Sequence, residues 1–295
     1  MTYKQIEEQV LQLLFAYTVH GTRVQDGNTR DLCMAMPAAM YAAEVDLAQS
    51  ASPIVRALAL PQPRALCTCA GSAQALTLPY PAKAGGASLM AHGPVEIALK
   101  DADGATVQQQ TGTGRLALLQ QLEADGTLVC TPQAGARIAC AAVWQGPFAR
   151  AEEVPLWRSD ACGYDLAALT QAVYGRQLLS LSPGPQAVDA DGQTHPFTLA
   201  GEGQLYVQGA QPVTVYVHVL PQRVDEQAYE TASPEIAQAA HPLIAYAVAA
   251  QLIAEDDLAL AQQYRQQYEL QKQQRMALQR GGAGQPFACE SGWLS

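Results

Sequence analysis

From Val95 to Gln145 the chain alternates short apolar runs with turns built on aspartate and glycine. VEIALK (95–100) is closed by DADG (101–104), and ATVQQQ and RLALLQQL are followed by ADG (124–126). TLVCT and RIACAAVWQ complete the series. Runs of this length, at a spacing of roughly ten residues, are too short for helices and suit antiparallel strands that bury one face. The pattern predicts an antiparallel β-sandwich, jelly-roll-like, over 84–156. Asp-Gly turns supply the left-handed position that closes such strands.

The chain ends read differently. Thr2 and Gln5 fit a capping box, and Ile6, Val10, Leu13, Leu14 and Tyr17 follow at helical spacing. Gly21 and the run Gln25–Asn28 break that helix, and Thr29 is placed to cap a second one over 30–49. Its apolar stripe is Leu32, Met36, Met40, Ala43 and Leu47, with Pro37 inside it. These residues give an N-terminal helical hairpin over 1–50. Region 157–240 holds a short helix at 164–175, a strand at 178–182, a second DADG turn at 189–192, and an additional β-hairpin around Gly209–Gln211. C-terminal helices over 241–280 pack on the N-terminal hairpin, with 243–254 as core. Asp256 or Asp257 starts a second helix whose inner stripe is Leu260, Tyr264, Tyr268 and Gln271. Gly281 and Gly282 end it, and 281–295 is a flexible arm carrying Phe287, Trp293 and Leu294. The expected fold class is α+β: a helical core made from both ends of the chain, an inserted β-sandwich and the extra hairpin.

Charge and cysteine content narrow the function. The net charge is −10, with no cluster of Lys or Arg, so a phosphate-gripping surface is not expected. The N-terminus has no secretory pattern and no run of 18 apolar residues occurs, so neither a leader nor a membrane span is expected. Seven cysteines, odd in number and several inside apolar runs, read as buried thiols of a reducing compartment.

Chemistry-bearing patterns are sparse. Cys67-Thr68-Cys69 has no second ligand pair beside it, so no metal site is assigned. His20, His92, His195, His218 and His241 are dispersed, and no nucleophile elbow, zinc-helix or phosphate-loop motif is present. Thr111–Gly114 reads as a hairpin turn rather than a phosphate cradle. Glu152-Glu153 and Asp256-Asp257 read as solvated or capping carboxylates. Trp144 and Trp157 are the aromatics near the β region that could stack on a sugar, with core positions the favoured reading. No catalytic residue and no cofactor is nominated, and the chain is not read as an enzyme.

Three passages, in this order, carry a resemblance. They are MTYKQIEEQVLQLLFAYTVHGT with DLCMAMPAAMYAAEVDLA, then VPLWRSDACGYDLAALT, then VTVYVHVLPQRV with PEIAQAAHPLIAYAVAAQLIAEDDLALAQQYRQQYE. The chain resembles bacteriophage neck or head–tail connector (adaptor) proteins of the type found in prophages of Gram-positive bacteria. The likeness covers both ends well and 84–156 poorly. It implies a structural virion protein forming a ring, commonly of twelve copies, below the portal. The ring continues the DNA channel toward the tail, and DNA passes without specific binding. The partners implied are further copies of the chain, the portal and other neck or tail proteins, with no membrane. The location implied is the virion neck, and the host cytoplasm during assembly. Contact with the portal or a neighbour falls to helix 258–279 and the arm, through Gln263, Gln267, Gln274, Phe287, Trp293 and Leu294. The alternative is another tail or baseplate protein whose β domain binds carbohydrate.

Overall fold

The structure is a computed structural model and describes residues 1–15, 27–158, 160–181, 187–200 and 203–282. The first half of the chain forms α1 (Tyr3–Leu13), α2 (Gly27–Ser50), β1 (Ile54–Ala59), β2 (Pro63–Ser72), β3 (Leu76–Tyr80), β4 (Ala84–Lys100), β5 (Thr106–Leu118), β6 (Gly126–Pro132) and β7 (Arg137–Gln145). The second forms β8 (Leu156–Trp157), β9 (Ala161–Asp165), α3 (Leu166–Tyr174), β10 (Leu178–Leu181), β11 (Ala187–Val188), β12 (Thr194–His195), β13 (Phe197–Ala200), β14 (Gln204–Gln208), β15 (Thr214–Val219), α4 (His241–Leu252) and α5 (Leu258–Gly282).

The expected α+β fold, a helical core with one inserted sandwich, is overturned. The described residues are mainly β, with fifteen strands in three antiparallel sheets. Strand structure begins at Ile54, because the proline-punctuated stretch pairs into sheets after all. Pro63 opens β2, and Pro79 lies in β3, which ends its sheet. Both are places where a missing N–H is tolerated. The expected hairpin around Gly209–Gln211 does not form either. β14 pairs with β9 and β13, whereas β15 pairs with β1, β10 and β11 in a different sheet. The chain divides into two compact units, residues 1–54 with 219–295, and residues 55–218.

In the second unit, the six-stranded sheet runs β2-β7-β4-β6-β3, with β5 on β4. Its two end strands lie against each other, which makes the sheet a nearly closed barrel. The 17-residue β4 is the spine. Residues 84–92 pair with β7 and residues 95–100 with β6, while β5 follows the opposite edge. The change of partner falls at Gly93-Pro94. Gly93 has φ +94°, and a Cβ there would sit 3.0 Å from the Ala136 backbone, so glycine is needed for both reasons. Opposite this bend, Gly112 and Gly114 pair with Val95 and Ala91 inside β5. Thr111–Gly114 is therefore a mid-strand irregularity, not the expected hairpin turn. Leu89, Ile97, Leu99, Leu118, Leu128 and Ile138 fill the interior.

Trp144 is wholly buried outside that interior. Its Nε1 donates to Ser88 Oγ at 2.8 Å, and Ser88 Oγ donates to the Pro155 carbonyl at 2.7 Å. Trp157 is also buried, so neither tryptophan presents a ring for sugar stacking. Asp165 caps α3 through Ala168 N–H, and Gly175 ends it in the left-handed conformation.

The first unit gathers the long helices. The Thr2–Gln5 capping box opens α1 and its buried stripe is Tyr3, Ile6, Val10 and Leu11. α2 starts at Gly27, two residues before the expected Thr29 cap, and Thr29 is buried within it. α4 packs on α1, α2 and α5. Buried Glu44 of α2 accepts from the Tyr3 hydroxyl at 2.7 Å and the Glu235 backbone N–H at 2.8 Å. The Tyr3 ring stacks on Tyr229 at 5.1 Å. Burial first, and then the bond to Glu44, push the Tyr3 hydroxyl pKa upward.

Candidate assembly surface

Helix α5 begins where the Asp257 carboxylate accepts from Leu260 N–H at 3.0 Å. Over its 25 residues it presents two unlike faces. On the inner face, Ala261, Tyr264 and Tyr268 are buried. Tyr264 donates its hydroxyl to the Leu13 carbonyl at 2.6 Å and tilts against Tyr246 with ring centroids 6.2 Å apart. Tyr268 donates to Asp46 Oδ2, which also receives Lys272 Nζ at 2.6 Å. Lys272 lies 5.5 Å from the Tyr268 ring centroid as well. Near the helix end, Gln279 donates to the Ala51 carbonyl at 2.8 Å. Burial raises the hydroxyl pKa of both tyrosines, and Asp46 adds to the rise at Tyr268. They act as neutral donors.

The outer face carries Gln263, Gln267, Leu270, Gln274 and Ala277, all exposed. At about 100° per residue these five fall within roughly 80° of arc, opposite Tyr268 and Lys272. The spacing alternates four and three residues, the seam of a helix that packs lengthwise on another. Of the sequence-nominated contact residues, the structure thus brings Gln263, Gln267 and Gln274 onto one stripe. Phe287, Trp293 and Leu294 lie outside the described residues. Leu270, 53% exposed at the centre of the stripe, was not nominated. Its position three residues after Gln267 and four before Gln274 is the signal that marks it. Leu258 and Leu278 are more exposed still.

No family model matches the chain, and no curated protein matches it. Among solved structures, the crystal structure of dimeric latent PorU from Porphyromonas gingivalis is similar over 63% of this chain, at 11% identity and a TM-score of 0.22. The match spans 21% of that protein. At that score the likeness supports no inference about fold or activity.

Catalytic chemistry does not converge among the described residues. His92 is exposed. His195 Nε2 is 2.9 Å from Asp189, whose other oxygen accepts from Asp191 and Gln193 N–H in the second DADG turn. This pair locks a turn. His218 is buried beside Ser180 Oγ at 3.3 Å, and His241 lies 3.1 Å from the Met1 and Ile236 carbonyl oxygens. His20 lies outside the described residues. Glu153 is buried as a cap, accepting from Ala149 N–H at 2.7 Å. No group of three His, Cys, Asp or Glu side chains among the described residues is arranged to hold a metal ion. A cleft of about 500 Å³ in the second unit is lined by Leu166, Leu178, Leu181, Leu199 and Ser180, and by no charged side chain among the described residues. A cleft of about 360 Å³ in the first is lined by Cys33, Met36, Met40, Glu226 and Glu230, and there Lys4 holds Glu7 at 3.0 Å. Ser180 of the larger cleft is the hydroxyl 3.3 Å from His218 Nδ1, but among the described residues no group hydrogen-bonds His218 Nε2 to orient the ring as a base. No helix among the described residues is long and apolar enough to cross a membrane.

Proposed function

We propose that the chain is a structural subunit of a bacteriophage neck, a head–tail connector that assembles as a ring below the portal and continues the DNA channel. The observation that carries this reading is the outer stripe of α5. A helix fixed on one side by Tyr264, Tyr268 and Lys272 leaves Gln263, Gln267, Leu270, Gln274 and Ala277 uncovered on the other. Glutamine and leucine there offer hydrogen-bonding and apolar contact without burying charge. In a ring each subunit must show its neighbour two different faces, and a rigid half-exposed helix supplies one of them. The net charge of −10 suits a channel along which DNA slides without being gripped. Twelve copies, a portal partner and residence in the virion neck belong to the same reading.

The test is assembly. Mass photometry and electron microscopy of the purified chain, alone and mixed with a phage portal protein, are expected to show closed rings or a stable portal complex. A chain that stays monomeric at micromolar concentration and does not bind the portal overturns the reading.

A further inference from the structure

Cys67 and Cys69 lie two residues apart on β2, so the pleat sends both side chains to one face. That face packs against the barrel interior, whose buried cluster includes Cys130. The two sulfurs are 3.2 Å apart. A disulfide bond is about 2.04 Å long, so the sulfurs need approach by only roughly 1 Å. Two steps along a strand separate the Cα atoms by about 6.4–6.8 Å, at the upper edge of the range that disulfides span. Cys67 and Cys69, like Cys33, are partly exposed residues, whereas Cys130, Cys140 and Cys162 are buried. β2 is also an end strand of its sheet. A small reagent can therefore reach the pair without opening the core.

We propose that Cys67 and Cys69 form an oxidant-reactive dithiol, which closes into an intrastrand disulfide by exchange with a low-molecular-weight disulfide. In the first step the Cys67 thiolate attacks one sulfur of the reagent. A bond forms from Cys67 Sγ to that sulfur, the reagent's sulfur–sulfur bond breaks, and the departing thiolate takes up the proton that Cys67 released. In the second step the Cys69 thiolate attacks Cys67 Sγ. The protein disulfide forms and the second reagent thiolate leaves, taking the proton from Cys69. The protein loses two protons and two electrons, and one reagent disulfide becomes two thiols. Burial, and then the contact with Cys67, push the Cys69 thiol up to about 12. Cys69 is therefore assigned the second step, where proximity offsets a small thiolate fraction. Wholly buried Cys130 takes no part in either step.

The experiment uses the full reduced chain, folded, with glutathione disulfide at pH 8, followed by alkylation, intact mass and peptide mapping. The wild type is expected to lose the mass of two hydrogens, to map the bond to Cys67–Cys69, and to return to the dithiol on adding dithiothreitol. Cys69→Ser is expected to stop at a glutathione adduct on Cys67. Cys67→Ser is expected to react roughly tenfold more slowly. A stable adduct on wild-type Cys67 without closure overturns the proposal, as does an absence of reaction at either thiol while the protein is folded. If either variant fails to fold, the wild-type peptide map decides alone.

Discussion

The Tyr268 hydroxyl donates to the Asp46 carboxylate across a sequence separation of 222 residues, tying α5 to α2 at the point where Lys272 also arrives. The Asp46 side chain is 46% exposed, so water screens the ion pair and the neutral donor matters more than the charge. Tyr268→Phe keeps the buried ring and removes only the hydroxyl. It is expected to cost about 1 kcal/mol in urea unfolding. Lys272→Met, which keeps most of the apolar stem, is expected to cost no more than about 0.5 kcal/mol. Equal losses from the two variants would contradict this ranking.

Ser88 carries a different kind of bond. It accepts from Trp144 and donates to Pro155 with all three groups shielded from water. Ser88→Ala leaves an indole N–H and a carbonyl without their partner, and each buried orphan carries a desolvation penalty. A loss of about 2 kcal/mol is expected, read from tryptophan fluorescence during urea unfolding. A change below about 0.5 kcal/mol would mean that water replaces the hydroxyl.

Short-range chemistry was legible in the sequence and long-range pairing was not. Thr2 with Gln5 and Asp257 with Leu260 act within a few residues, and each is found as a cap. The two Asp-Gly turns behave alike for the same reason, since Asp101 and Asp189 each accept from backbone N–H groups two and four residues on. Gly93-Pro94 and Gly112–Gly114 look like strand breaks when read locally. They are opposed irregularities of two long strands, visible only once β4 meets β5. Strands of two residues, such as β8, β11 and β12, are too short to show alternation. The buried bond from Tyr3 to Glu44 joins residues 41 apart, a separation that no local spacing marks. At the candidate surface, three-to-four spacing separates the tyrosine face from the glutamine face. It does not reveal that Asp46 holds the inner one.

His218 gives a pH-dependent contribution of defined sign. Burial lowers its pKa below the ordinary value, so the folded state favours the neutral ring. The unfolded chain then binds more protons as pH falls through about 6.5. The contribution is complete above that pH and is lost below it, levelling off once the folded-state pKa is passed. His241 is shifted the same way, chiefly by burial. Urea midpoints are expected to fall between pH 7.5 and 5.5 in the wild type. His218→Asn is expected to shrink that fall without abolishing it. An unchanged fall would assign the whole effect to other groups.

Leu270 separates assembly from folding. It lies at the middle of the outer α5 stripe with more than half its surface in water, and the inner face does not use it. Leu270→Glu therefore removes little native packing and is expected to change stability by no more than about 0.5 kcal/mol. A carboxylate buried against a second helix without a partner is costly. The same variant is thus expected to weaken ring formation or portal binding at least about tenfold by mass photometry, with the urea midpoint unmoved. Gln263→Glu, nearer the end of the stripe, is expected to give a smaller effect in the same direction. If Leu270→Glu assembles like the wild type, the interface lies elsewhere on the chain. If it unfolds the protein, the stripe belongs to the core despite its exposure, and the assignment of α5 as a contact helix fails on that ground instead.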